Sequence, residues 1–176
     1  SPMGIRAIDI YKKYTNLYDK NAKKLILSGD DIFSFKNMEY TLDKESSKKI
    51  NFTRPPKIIL AGSGMCNGGR VIHHLKFNLS NEKTKVMLLS YQAKGTLGRK
   101  LFDGEKEVLI EDLPIQVKAK ISSLGCFSSH ADNNKLIDWT LKLKNPKPKN
   151  IFINHGEEEK SIELKKTLEN QISTNI

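Results

Sequence analysis

Two histidines stand where chemistry is most easily built. Phe127-Ser128-Ser129-His130-Ala131-Asp132 is followed, 25 residues after His130, by the apolar run Ile151-Phe152-Ile153 ending in Asn154-His155-Gly156-Glu157. Imidazole titrates near neutral pH and is the commonest nitrogen ligand for metals, so such a pair can hold a metal ion or move a proton. A single histidine is as often a packed or surface ring; the two together, each at the boundary of a predicted element, say more. A third feature is the loop Gly62-Ser63-Gly64-Met65-Cys66-Asn67-Gly68-Gly69, followed by Arg70. Glycines let backbone amides approach a phosphate at a helix N-terminus, and Arg70 adds a cation there. The third glycine of a dinucleotide fingerprint would fall at Asn67 and arrives one residue late, at Gly68; no Lys-Ser/Thr pair follows, so a Walker loop is excluded. What remains is an anion-holding turn, or a tight strand-to-helix turn that needs glycine for its backbone.

The elements that must position these residues alternate between helix and strand. Ser1-Pro2 has the form of a helix cap followed by proline, and Ile5, Ile8, Tyr11 and Leu17 predict one helix running to about Leu27. A start on a helix cap rather than on methionine gives the expectation that the chain is cut from a longer protein. A short helix is predicted over residues 44–50. After Pro55-Pro56 come a strand over 57–61, the glycine loop, a helix over 70–79 and a strand over 86–90, the two strands forming a parallel pair. A short helix over 95–102 and strands over 108–110 and 115–122 follow. Asp132 caps a helix reaching about Leu143, with Leu136, Ile137, Trp139, Leu141 and Leu143 as its apolar residues. A last strand over 150–154 and a last helix over 157–171 close the chain.

The 176 residues suffice to bury a core without disulfides or a metal. Cys66 and Cys126 are far apart in unrelated contexts, and no apolar run approaches a membrane span or a signal peptide. The expectation is a soluble protein of a reducing cytoplasm, with no membrane partner. The net charge of +10 is regional: residues 51–100 hold nine Lys/Arg against the single acid Glu82, whereas residues 151–176 hold three against five acids. A localised positive field attracts a polyanion, and RNA or DNA phosphate is the commonest one.

Four motifs in fixed order carry a resemblance. Gly62 to Arg70 with His73-His74-Leu75, then Tyr91-Gln92-Ala93-x-Gly95-Thr96-Leu97-Gly98-Arg99, then Ser128-Ser129-His130-Ala131-Asp132, then His155-Gly156-Glu157, resemble the C-terminal half of a β-CASP metallo-β-lactamase nuclease. The match is best to the ribonuclease J-like and polyadenylation-endonuclease-like proteins of bacteria and archaea. The resemblance implies an α/β fold: the later part of the β-CASP parallel-sheet domain over residues 1–122, then the returning C-terminal segment of a metallo-β-lactamase αββα fold over 123–176. It implies that His130 assists departure of the leaving oxygen and that His155 binds one of two zinc ions. Ser129, Gly64, Gly68, Gly69 and Arg70 would meet RNA phosphates, and the glycine loop and the His130 turn would face a common cleft. The family's His-x-His-x-Asp-His motif is absent from this sequence, so the parent is expected to be a zinc-dependent ribonuclease, homo-oligomeric or not, and this chain alone inactive. Asp132 reads first as a helix cap, and His73 and His74 as packing residues. The rival readings are a non-catalytic RNA-binding scaffold and a DNA-processing β-CASP nuclease.

Overall fold

In the computed structural model of the chain, the structure describes residues 1–125, 130–143 and 146–172. They fall into two compact units, Ser1–Ser128 and Ser129–Ile176. No helix among them is long and apolar enough to cross a membrane.

The first unit opens on α1 (Pro2–Lys13), whose cap Ser1 accepts the amide of Gly4 at 3.4 Å. The single helix expected as far as Leu27 is broken. A 3₁₀ turn at Thr15–Leu17 intervenes, and Asp19, itself extended, captures the Ala22 amide at 2.8 Å and starts α2 (Lys20–Leu27) afresh. Apolar periodicity ran through the junction, but a capping aspartate competes with the helix backbone and won. Asp43 caps α3 (Lys44–Lys49) in the same way, and a 3₁₀ turn follows at Ile50–Phe52.

Helix α4 (Arg70–Asn78) leads into β1 (Lys85–Leu88), then α5 (Leu97–Phe102), the hairpin β2 (Glu107–Ile110) and β3 (Leu113–Gln116), and β4 (Lys120–Ser123). β1 lies parallel to β4, with Lys85 opposite Lys120 and Leu88 opposite Ser123. This corrects the expected pairing: residues 57–61 form no strand and join no ladder among the described residues. Their alternation is in place, with Lys57 and Ile59 half-buried while Ile58 and Leu60 are 91% and 72% exposed. The expected strand over 115–122 divides because the chain must pass from hairpin to sheet. Val117 donates to the Lys106 carbonyl at 2.8 Å, and the amides of Lys118 and Ala119 both reach the Leu79 carbonyl, at 2.9 and 2.8 Å. The core gathers around that pivot: Leu79 and Leu101 are fully buried, with Leu75, Leu88, Val108 and Ile110 packed about them.

In the second unit Asp132 caps α6 (Asn133–Leu141) by accepting the Lys135 amide at 2.8 Å, as its sequence position predicts. Trp139 does not serve the core; it is 64% exposed, and Thr140 is buried in its place. Of the expected last strand over 150–154, Asn150 forms a single bridge and residues 151–154 belong to no ladder among the described residues. Helix α7 (Glu158–Glu169) carries Glu158 and Glu159 in its first turn, where the helix dipole favours them.

A buried polar network joins α3, the 3₁₀ turn and α4. His74 Nδ1 lies 2.9 Å from Asn51 Oδ1, an atom that only accepts, so Nδ1 carries the proton and Nε2 accepts from the Ser47 hydroxyl at 3.2 Å. Asn78 Nδ2 donates to the same Asn51 oxygen and to the His74 carbonyl. Burial above all, then the charges of His73, Lys57, Arg70 and the N-terminus, push the His74 pKa below its ordinary 6.5. The unfolded state therefore binds the proton first. Stability is full above about pH 6.5 and falls as the pH drops below it, toward the depressed folded value. Urea unfolding between neutral and mildly acid pH should show this slope, and a His74→Gln variant should lose it while keeping the losses at lower pH that come from Asp31 and Asp43, whose carboxyls hydrogen bonds hold below the usual range.

Candidate functional site

The glycine loop is held from two sides. At its far end Gly69 has φ +74°, and a Cβ there would lie 3.0 Å from the Gly62 carbonyl, so glycine is needed to bring the loop back on itself. The Gly62 carbonyl accepts the Val71 amide at 3.4 Å, and no side chain caps the first turn of α4. From the other side comes the second motif. Asn67 Oδ1 accepts the Leu97 amide at 3.2 Å, and the Met65 carbonyl accepts the Gly98 amide at 3.0 Å. Gln92, 5% exposed, donates its Nε2 to the carbonyls of Gly64 at 3.0 Å and Ser90 at 2.8 Å. Thr96 caps α5 through the Arg99 amide. The two glycine-bearing motifs are thus one hydrogen-bonded assembly. Of these contacts, the Gln92–Gly64, Asn67–Leu97 and Met65–Gly98 bonds were missed from sequence, because each spans about thirty residues and polar residues beside a glycine loop carry no local signal.

This assembly forms one wall of a cavity of about 1150 Å³ within the first unit, where Gly68 and Gly69 are joined by Arg6, Lys44, His73 and Glu111. Glu111 sits in the two-residue turn of the β2–β3 hairpin, φ 51° and 61° at Glu111 and Asp112, and pairs with Lys76 at 2.7 Å. That bond, with the charge of Lys76, holds the Glu111 carboxyl below the usual range. The expected site residues separate here. Gly68, Gly69 and Arg70 lie on the cavity wall, whereas Gly64 packs on Ser90, whose Oγ would meet a Cβ at 2.6 Å. Arg70 has a first duty other than phosphate: its two terminal nitrogens donate to the carbonyls of Thr41 and Leu42, both at 2.6 Å, and fasten the polar stretch before α3 onto α4. Cys66 is buried, which pushes its thiol up and leaves it an inert packing group.

In the second unit His130 precedes the α6 cap and is exposed, and Ser129 lies outside the described residues. His155 is exposed at the end of the 151–154 segment with φ 65°, a left-handed conformation that non-glycine residues adopt at a cost and that histidine tolerates better than most. Gly156 and the cap residue Glu157 carry the chain from it into α7. An exposed imidazole on such a turn suits one position in a metal site. Among the described residues, no three His, Cys, Asp or Glu side chains converge to complete it.

Two family models match the chain end to end: the Beta-Casp domain over residues 1–101 and the Zn-dependent metallo-hydrolase RNA specificity domain over residues 114–176. Ribonuclease TTHA0252 of Thermus thermophilus is 33% identical over 168 residues, which cover 96% of this chain and 38% of the relative. The RNase J-like protein of Methanocaldococcus jannaschii is 33% identical over 93% of the chain and 36% of its own length. Transcription termination factor FttA of the same archaeon is 32% identical over 92% of the chain and 26% of its own length. The chain therefore spans about a quarter to two-fifths of the curated relatives it matches.

The loop geometry separates two glycine substitutions. A Cβ at Gly98 would fall 1.8 Å from Gln92 Oε1 and 3.0 Å from the Met65 carbonyl, while one at Gly68 meets nothing within 4 Å. Gly98→Ala must expel the Gln92 amide and should cost about 2 kcal/mol in chemical denaturation, with the overpacking range of 1–3 as its bound. Gly68→Ala should be neutral or slightly stabilising, within about 1 kcal/mol. A loss of RNA binding in Gly68→Ala would then report on the approach of phosphate rather than on folding.

Proposed function

The chain belongs to the β-CASP ribonuclease family, and we propose that it is the later portion of a zinc-dependent nuclease that hydrolyses phosphodiester bonds in RNA. The observation that carries this reading is the end-to-end match of a Beta-Casp and an RNA-specificity metallo-hydrolase domain on a chain whose glycine loop opens on a cation-lined cavity. In the proposed division of labour the first unit grips RNA. Amides of Gly68 and Gly69 at the uncapped start of α4 would donate to a phosphate oxygen, with the charges of Arg6, Lys44 and Arg70 about them. Gly64 keeps the loop in shape. Ser129 would add a hydroxyl beside His130.

The second unit supplies the chemistry. His155, as neutral imidazole, would hold one zinc, its other ligands coming from parts of a longer parent, and such an ion supplies Lewis acidity toward the scissile phosphate. His130, as imidazolium, would donate a proton or a charged hydrogen bond to the departing oxygen and carries no metal itself. Alone, the chain has one ligand of a set and is proposed to be inactive.

Three measurements test this. The isolated chain should bind single-stranded RNA weakly, with log affinity falling linearly as log salt rises; binding that salt does not weaken contradicts the grip assigned to the first unit. In the full-length parent, His155→Ala should lower zinc content and abolish cleavage, whereas His130→Ala should lower turnover and leave zinc in place. Unchanged turnover in His130→Ala removes its catalytic role. Finally, because His155 stands at φ 65°, His155→Gly should stabilise the fold by about 1 kcal/mol while losing zinc, and His155→Ala should lose zinc without that gain.

A further inference from the structure

Phe52 and Phe77 form an edge-to-face pair with centroids 5.1 Å apart, yet they are 77% and 51% exposed. Apolar rings so open to water are not core residues, and neither belongs to the cavity beside the glycine loop. Their mount is unusually firm. Each follows or precedes a residue of the buried network: Asn51 stands before Phe52, Asn78 after Phe77, and the two asparagine side chains meet at 3.2 Å above His74. Lys57 spends its ammonium on the same turn, donating to the carbonyls of Ile50, Asn51 and Thr53 at 2.6, 2.8 and 3.0 Å. The two rings are therefore fixed relative to each other by bonds beneath them, while their outer surfaces stay bare. The sequence around Phe52 is mostly positive. Residues 44–57 hold Lys44, Lys48, Lys49, Arg54 and Lys57 against the single acid Glu45, which Lys48 already neutralises at 2.9 Å. Lys49 and Arg54 flank Phe52 in sequence, are exposed, and form no ion pair among the described residues.

A rigid aromatic surface edged by unpaired cations is complementary to a polymer with flat bases and a phosphate backbone. We propose that Phe52 and Phe77 form a stacking platform for bases of single-stranded RNA, a contact separate from the cavity and from the two histidines. The inference rests on the RNA reading above. Because stacking needs only a base's flat face, the platform would be indifferent to sequence and would demand an unpaired strand.

The test uses the full-length parent with a single-stranded oligoadenylate and with inorganic polyphosphate, which has charge but no bases. Phe52→Ala and Phe77→Ala should each lower oligoadenylate affinity about tenfold at fixed salt, leave polyphosphate affinity unchanged, and keep the wild-type circular dichroism. Phe52→Trp should restore binding, since indole stacks at least as well as phenyl. Equal affinity of wild type and both alanine variants for oligoadenylate overturns the platform, as does an equal loss on polyphosphate. If the alanine variants instead lower the melting temperature or the oligomeric mass of the parent while RNA affinity holds, the rings are a packing interface and the proposal is wrong. Failure of the wild type to bind oligoadenylate at all would strike the RNA reading itself, a separate outcome.

Discussion

The buried carboxamide of Gln92 is the constraint on which the candidate site depends. Its two N–H groups take the carbonyls of Gly64 and Ser90, one from the glycine loop and one from the chain leaving β1. The residues they join are 26 apart, and the bond holds the loop against the end of the sheet. Gln92 Oε1 has no hydrogen-bond partner among the described residues and rests against Gly98, where a side chain cannot fit. Leaving a buried acceptor unmade costs about 1–3 kcal/mol. The fold accepts that cost because the amide nitrogen satisfies two loop carbonyls that would otherwise be stranded without donors. Gly98 also lets the second motif come close to the loop, since a Cβ there would lie 3.0 Å from the Met65 carbonyl.

The same reasoning shows what was legible in the sequence. Ser1, Asp132 and the paired acids Glu158 and Glu159 sit where local rules put them, because a cap acts over three residues and needs no distant partner. Asp19 obeyed the same rule and was overlooked in favour of an apolar stripe that continued past it. Long-range facts were illegible for a physical reason. The alternation at 57–61 is written in the residues, but whether a neighbouring strand donates to them is not. Arg70 was recognisable as a cation beside a loop, while the carbonyls of Thr41 and Leu42 that occupy it lie nearly thirty residues upstream. Trp139 counted as apolar by type, yet the face it occupies is open.

Those open faces have a pattern. Ile58 and Leu60 are exposed in one non-strand segment and Phe152 in another, and among the described residues no further strand joins the parallel pair of β1 and β4. Parallel sheets are stable when several strands are covered on both faces, so a pair with bare apolar neighbours is short of cover. Under the proposed reading these segments are where further strands of a longer parent would add. The Phe52–Phe77 pair differs from them in its mount: Lys57 bonds the carbonyls of Ile50, Asn51 and Thr53 around Phe52, and the side chains of Asn51 and Asn78 join beneath the rings.

Grip and chemistry then rest on different physics. Under the proposed reading, contacts built from Lys44, Arg6 and the amides of α4 would act through a field that salt screens, so they would set how much RNA is held under given conditions. Under the same reading His155 would act through ligand geometry, and its left-handed φ of 65° is conformational strain that glycine would relieve at the loss of the imidazole. His155 and His74 differ in setting: the first is exposed on a left-handed turn, whereas the second is buried and held by Asn51 and Ser47, so under the proposed reading only His155 of the two is open to a metal ion.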